Sequence, residues 1–248
     1  MGRGIVLAGL GLLWGAWTCR RNELWRDPVA LWEDTAVKSP GKALVYNNLG
    51  STRLAAGGNV EKALEDFSRA IARDPRLAEA LGNRGVLLLR RGDLVGALRD
   101  LDEAVRLAPD RALLRNNRAT VFIESGQLDR ALPDCEEAIR LGPFFAPAYV
   151  TRGIVKVKQG DFRAGILDYT RALEIRSDLA QAWNNRAYAR IQVGDLKGAE
   201  EDYSEYIRLR PNLPEGFHNR SQVRGARGDS RGAEEDRRRA LALGWKGN

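Results

Sequence analysis

The chain has 248 residues, of which 44% are hydrophobic and 29% charged, and a formal net charge of +7. One histidine and two cysteines leave histidine acid–base chemistry and metal binding without material, and a Cys19–Cys135 disulfide is not expected. Acidic residues are interspersed with the basic ones, and no basic run alternates with aromatics, so the charge reads as a solvated helical surface and not as a nucleic-acid groove.

The first element is Gly4 to Cys19, which carries no charge. Sixteen helical residues span about 24 Å, against roughly 30 Å of hydrocarbon in a bilayer. Trp14, Trp17 and Trp25, with Arg20, Arg21 and Arg26 alongside, resemble an interfacial belt. The expectation is a single-pass membrane anchor over residues 4–19, within a 1–19 segment, placing the protein at a bacterial inner membrane. A signal peptide is the weaker reading, because Ala16-Trp17-Thr18 is a poor small-residue cleavage site; a buried helix is the third. The basic residues on the two sides of the segment leave its orientation open.

Residues 20–42 form a junction. Pro28 marks a helix start, Val29, Leu31, Trp32 and Ala36 form an apolar stripe, and Ser39-Pro40 ends it. Trp32 falls where later units place an aromatic, so the segment is expected to be a half-repeat that covers the first exposed face of an array.

From residue 43 the sequence repeats with a period of 34. Gly92, Gly126, Gly160, Gly194 and Gly228 are one period apart, as are Ala97, Ala131, Gly165, Ala199 and Ala233. Each unit holds two apolar-periodic segments joined by a glycine-containing turn, a helix–turn–helix pattern. Six units follow, at 43–77, 78–111, 112–145, 146–179, 180–213 and 214–247, the first with one extra residue at Gly57-Gly58. The expected fold is all-α, a right-handed superhelical α-solenoid preceded by the apolar helix. Cys135 sits where neighbours carry Leu101, Tyr169 and Tyr203, and reads as a small core residue. In the last unit Arg237 takes that place, giving a polar outer face, and Gly244-Trp245 either folds back or frays.

These units resemble tetratricopeptide repeats. Gly85, Leu88, Gly92, Ala97, Leu101, Ala104 and Pro109 match the family pattern in the second unit, and Trp183, Ala187, Gly194, Ala199, Tyr203 and Pro211 match it in the fifth. Ser177 in place of proline and Tyr206 in place of a small residue are departures. The junction (Arg21-Asn22, Trp25, Leu31-Trp32-Glu33-Asp34, Ser39-Pro40 and Asn48-Leu49-Gly50) resembles that of multi-spanning repeat proteins related to O-mannosyltransferases. That resemblance implies an alternative role as the acceptor-presenting domain of a membrane glycosyltransferase-like protein, without carrying over any activity.

Two ladders run through the units. Asp66, Asp100, Asp134, Asp168, Asp202 and Asp236 share one place in the second helix. Arg84, Arg118, Arg152, Arg186 and Arg220 share one in the first, with Leu49 as the exception. They are expected to pair, within or between repeats, with a solvated surface pattern as the bland alternative. Just before each arginine place stand Asn48, Asn83, Asn117, Asn185 and Asn219, with Thr151 in the fourth unit. The family resemblance places first helices on a concave face, and a similar asparagine ladder in the O-GlcNAc transferase superhelix binds peptide backbone. A carboxamide offers a donor and an acceptor, as a peptide bond does; the alternative is that these residues serve local groups. Asn47, Asn116 and Asn184 widen the strip, and Val86, Ile154 and Tyr188 add apolar contacts.

The carboxylate clamp of chaperone-type relatives is absent, since Glu79, Gly82, Leu113, Asn116, Pro147 and Val150 occupy those places. The expectation is a non-enzymatic, membrane-anchored scaffold binding a protein or extended peptide, with no cofactor, metal or nucleic acid.

Overall fold

The computed structural model describes residues 25–246. The expected anchor over 4–19 lies outside the described residues, as do residues 20–24; among the described residues, no helix is long and apolar enough to cross a membrane. Thirteen helices and no strands are found there. The chain divides into two compact units, 1–108 and 109–248. In the first lie α1 (Pro28–Lys38), α2 (Ala43–Ala55), α3 (Val60–Arg73), α4 (Ala78–Arg90) and α5 (Leu94–Leu107). In the second lie α6 (Ala112–Glu124), α7 (Leu128–Leu141), α8 (Ala146–Lys158), α9 (Phe162–Ile175), α10 (Ala180–Gln192), α11 (Leu196–Leu209), α12 (Pro214–Ala226) and α13 (Ser230–Ala242). Within each unit, helices pair as hairpins and each hairpin packs on the next.

The turn inside each hairpin explains the glycine period. Gly92 has φ +80, a left-handed conformation open to glycine at little cost. The next residue then starts the second helix: the Asp93 carboxylate accepts from the Gly96 N–H at 2.9 Å, and Asp161, Asp195 and Asp229 cap α9, α11 and α13 in the same way. In the first repeat Gly57 takes the left-handed place, and the extra Gly58 is followed by Asn59, which caps α3. Small residues stand where the paired helices cross. A Cβ at Gly85 would lie 2.8 Å from Leu101 Cγ, and one at Gly153 would lie 2.6 Å from Tyr169 Cε1, so neither site admits a side chain without movement.

The charge ladder pairs within repeats. Arg84 Nε and Nη2 donate to Asp100 Oδ2 and Oδ1 at 2.6 and 2.8 Å, and the same two-pronged bond recurs from Arg118 to Asp134, Arg152 to Asp168, Arg186 to Asp202 and Arg220 to Asp236. The third guanidinium nitrogen reaches the preceding repeat: Nη1 of Arg84, Arg186 and Arg220 donates to Ser68, Thr170 and Ser204 hydroxyls. One side chain thus closes its own hairpin and tacks it to its neighbour. The aspartates are buried, so the surface-pattern alternative does not hold. Hydrogen bonding to Asp100 raises the Arg84 pKa above its ordinary value.

Leu49 breaks the ladder, and the structure compensates one turn later. Arg53 Nη1 donates to Asp66 Oδ2 at 2.5 Å, while its Nη2 donates to Glu33 of α1, also at 2.5 Å. Together with Ala36, packed against Tyr46, Ala70 and Ala80, this holds α1 against α2. A further row ties first helices to the loops before them. Tyr46, Arg115, Tyr149 and Trp183 donate to the carbonyls of Pro40, Pro109, Pro143 and Ser177. Ser177 therefore replaces proline without loss of this contact, because the carbonyl is what is used.

Cys135 is fully buried and burial pushes its thiol up to about 12, as expected of a core residue. At the C-terminal end Trp245 folds back instead of fraying. Gly244 has φ +92, the Trp245 N–H donates to Ala240 O at 3.0 Å, and the indole stacks on His218 with centroids 4.3 Å apart.

Candidate binding groove

The first helices carry the asparagine ladder because their preceding turn and their arginine fix their rotation. The arginine faces the second helix of its own repeat, so the residue before it points along the first helices. In the first unit Asn83 Nδ2 donates to Asn47 Oδ1 at 3.0 Å and more weakly to Ser51 Oγ at 3.5 Å, and Asn47 Nδ2 approaches Asn48 Oδ1 at 3.4 Å. Asn48 and Asn83 are half-buried. In the second unit Asn219 Nδ2 makes the equivalent contact to Asn184 Oδ1 at 3.5 Å. A rule emerges: a ladder asparagine donates to the residue preceding the ladder in the repeat before.

That rule explains two departures. Thr151 stands at the fourth rung, and its hydroxyl turns back to Pro147 O at 3.0 Å. Asn116, which should receive the missing donor, is 7% exposed and its buried Oδ1 has no hydrogen-bond partner in the structure. The expected widening of the groove strip by Asn116 is therefore not where the structure places it; its amide is turned into the packing. At the fifth rung the position before the ladder in repeat 4 is Val150, so Asn185 is not spent there. Asn117 is half-buried on α6 and makes no side-chain hydrogen bond among the described residues.

The second unit holds a cavity of about 520 Å³ formed by α8, α10 and α12, the first helices of three consecutive repeats. Asn184, Asn185, Tyr188 and Asn219, all expected from the sequence, line it. Gln181, Gln192 and Gln222 add three carboxamides that the sequence reading did not single out. Ile154, Val157 and Ile191 give an apolar wall, Tyr188 remains 49% exposed beside them, and Lys158 supplies one cation. The floor comes from second helices: Tyr169 of α9 and Tyr203 of α11 reach through from the core. Burial pushes the Tyr203 phenol up to about 12 and raises that of Tyr169 as well, so both hydroxyls keep their protons.

The carboxamides are partly committed to one another. Asn185 Oδ1 accepts from Gln181 Nε2 at 2.9 Å and from Asn184 Nδ2 at 3.5 Å. Gln222 Nε2 lies 2.8 Å from His218 Nε2, so the lone histidine and its stacked Trp245 steady one rim amide. Such a surface of carboxamides, phenols and aliphatic side chains suits an extended backbone and offers no nucleophile–base pair for catalysis. Among the described residues, no group of three histidine, cysteine or acidic side chains is placed to hold a metal ion.

Stacked helix hairpins that turn their first helices toward a polar cavity define a helical-repeat protein of the interaction type. A family model described as "Tetratricopeptide repeat" matches residues 47–112, 96–146 and 150–214, more than half of the chain. The chain belongs to the tetratricopeptide repeat family. No curated protein matches it, and the junction's resemblance to O-mannosyltransferase-related proteins finds no support among the comparisons.

Solved structures agree on the fold. A chain of the APC/C hetero-tetramer Cut9–Hcn1 superposes with a TM-score of 0.81 at 17% identity, covering 91% of this chain; the match spans 44% of that chain. PilW, a type IV pilus biogenesis factor, gives 0.73 at 18% identity over 81% of this chain and 92% of its own. YrrB, a repeat protein described as having an unusual peptide-binding site, gives 0.54 at 19% identity over 75% and 96%. At these identities the likeness concerns the fold alone.

Proposed function

We propose that the protein is a scaffold that binds an extended segment of a partner protein in the cavity along α8, α10 and α12, with Asn184, Asn185 and Asn219 meeting its backbone and Tyr188 its side chains. The observation that carries this reading is the cavity itself, walled by first helices of three consecutive repeats and rich in carboxamides. Membership of a family of protein-binding scaffolds supports it, and so does the peptide-binding site attributed to YrrB. Asn48 and Asn83 in the first unit, and Asn117 on α6, extend the same chemistry to other repeats. The reading is of display and assembly, not of catalysis. The charge-free segment from Gly4 to Cys19 supports tethering to a membrane, where several weak contacts gain from a shared surface.

The test uses the full chain. Peptides selected from a random display library are titrated against wild type and against the Asn184→Ala, Asn185→Ala, Asn219→Ala triple variant, with helicity measured for both. Three lost hydrogen bonds at about 1 kcal/mol each predict a loss of affinity on the order of 100-fold. Equal affinity in a folded variant would remove the carboxamide groove as the binding site.

A further inference from the structure

We propose that the cavity between α8, α10 and α12 selects a carboxylate, carried by an aspartate or glutamate side chain inside the bound segment. The inference rests on the peptide-binding reading of that cavity and comes from an inventory of its donors and acceptors.

On the donor side stand Lys158, Tyr169 and Tyr203. Lys158 is exposed at the end of α8 and pairs with no acid among the described residues. The Tyr169 and Tyr203 hydroxyls make no hydrogen bond among the described residues, yet neither is sealed from solvent as an orphaned buried atom. Their raised ionisation keeps them donors across the physiological range. On the acceptor side the cavity carries no negative charge. No aspartate or glutamate lines it. The Asn185 oxygen already accepts from Gln181 and Asn184, and the Asn184 oxygen from Asn219. What these two amides have left for a ligand is mainly N–H. Gln181, Asn219 and Gln222 each have a nitrogen engaged and keep an oxygen, and Gln192 keeps both groups, so the other amides are neutral in the balance.

A carboxylate matches the unopposed ammonium and the two phenol donors: it accepts at about four lone-pair sites and donates none, and a hydrogen bond to an ionised group is about twice as strong as a neutral one. A lysine or arginine side chain would meet Lys158 and find no acid. A neutral amide would satisfy fewer of the donors and gain nothing from the ammonium. The phenols stand at the floor, walled by Ile154, Val157 and Ile191, where screening by water is reduced. The repeats that carry these phenols are the fourth and fifth; at the same place the other repeats have Phe67, Leu101, Cys135 and Arg237. The selectivity therefore belongs to this cavity and not to the array as a whole.

The experiment takes C-terminally amidated peptides chosen by display on the full chain and prepares each with Glu, Gln or Lys at the position that cross-links to Tyr188-proximal residues. Amidation removes the terminal carboxylate, and a parallel free-acid form tests whether a chain end serves instead. The expected result is a preference for Glu over Gln of at least tenfold and Lys as the weakest. Lys158→Met should bring that preference to about twofold. Tyr169→Phe with Tyr203→Phe should reduce the preference without changing helicity, and 0.5 M salt should shrink it in wild type. Equal binding of Glu and Gln peptides that still depend on Asn184, Asn185 and Asn219 would overturn the carboxylate and leave the groove standing. A gain seen only with the free-acid form would overturn the internal side chain in favour of a terminus. Binding of none of the peptides would overturn both readings.

Discussion

The first and fifth repeats bury an equivalent carboxylate in different surroundings. Asp202 receives both prongs of Arg186 and has the guanidinium of Arg190, one helical turn along, as an ion-pair partner at 3.0 Å. Asp66 has no arginine at the ladder place, because Leu49 is there. Its Oδ2 takes one bond from Arg53, and its buried Oδ1 has no hydrogen-bond partner, with Arg69 at 3.8 Å. Arg53 and Arg190 occupy the same place in their helices, so the same residue is the hydrogen-bond donor in one repeat and a second, electrostatic partner in the other. A buried aspartate demands an arginine; the fold supplies it from whichever turn has one to give. Burial raises the pKa of both acids above the ordinary carboxylate value, with the arginines opposing it.

The sharpest way to break this comparison is to remove the two equivalent arginines in turn. Arg53→Ala strands a buried charge and should cost about 3–5 kcal/mol in urea denaturation. Arg190→Ala leaves the Arg186 fork in place and should cost about 1 kcal/mol. Similar losses would show that Asp66 has support the hydrogen bonds do not reveal. A smaller effect of the opposite sign is expected at the broken asparagine rung. Thr151→Asn would bring a donor to the orphaned Asn116 oxygen, as Asn83 does for Asn47, and should raise stability by about 1 kcal/mol. Destabilisation would mean that the rule linking successive first helices does not extend to this rung.

The smallest effect is in the pH dependence. A carboxyl whose folded pKa lies above its unfolded value near ~4 binds its proton more readily when folded. Its contribution to stability is therefore fully present below the unfolded value and is lost as pH rises through the folded one. Between pH 7 and 4, wild type should gain stability relative to Asp66→Asn, read as a difference in denaturation midpoints. Parallel curves would remove the raised pKa of Asp66 from the account.

How much of this was open to a reader of the sequence depends on whether a residue repeats. The turn glycines, the crossing alanines and both members of the charge ladder recur at one spacing, and the hairpins follow from them. Equal spacing could not say whether Arg84 pairs with Asp100 or across repeats, because both arrangements share the period; only the geometry shows one guanidinium serving both. The ladder asparagines were also periodic, and four of the expected site residues do meet in one cavity. The rest of that cavity was hidden for the opposite reason. Gln222 shares its place with Ile154 and Tyr188, and Gln192 with Lys158, so a search for recurring residues passes over them. Tyr169 and Tyr203 were legible as core rings but not as hydroxyls on a groove floor. Asn116 shares the spacing of the strip, and spacing alone does not reveal that its amide oxygen is buried.

The loop carbonyls at Pro40, Pro109, Pro143 and Ser177 carry this further. At each, the loop is held by an atom that every amino acid possesses, while the donor on the helix changes from tyrosine to arginine to tryptophan. Such a contact leaves little mark on either partner's identity. It can outlast the residues that first made it, so two repeats can drift apart in spelling and still close the same joint.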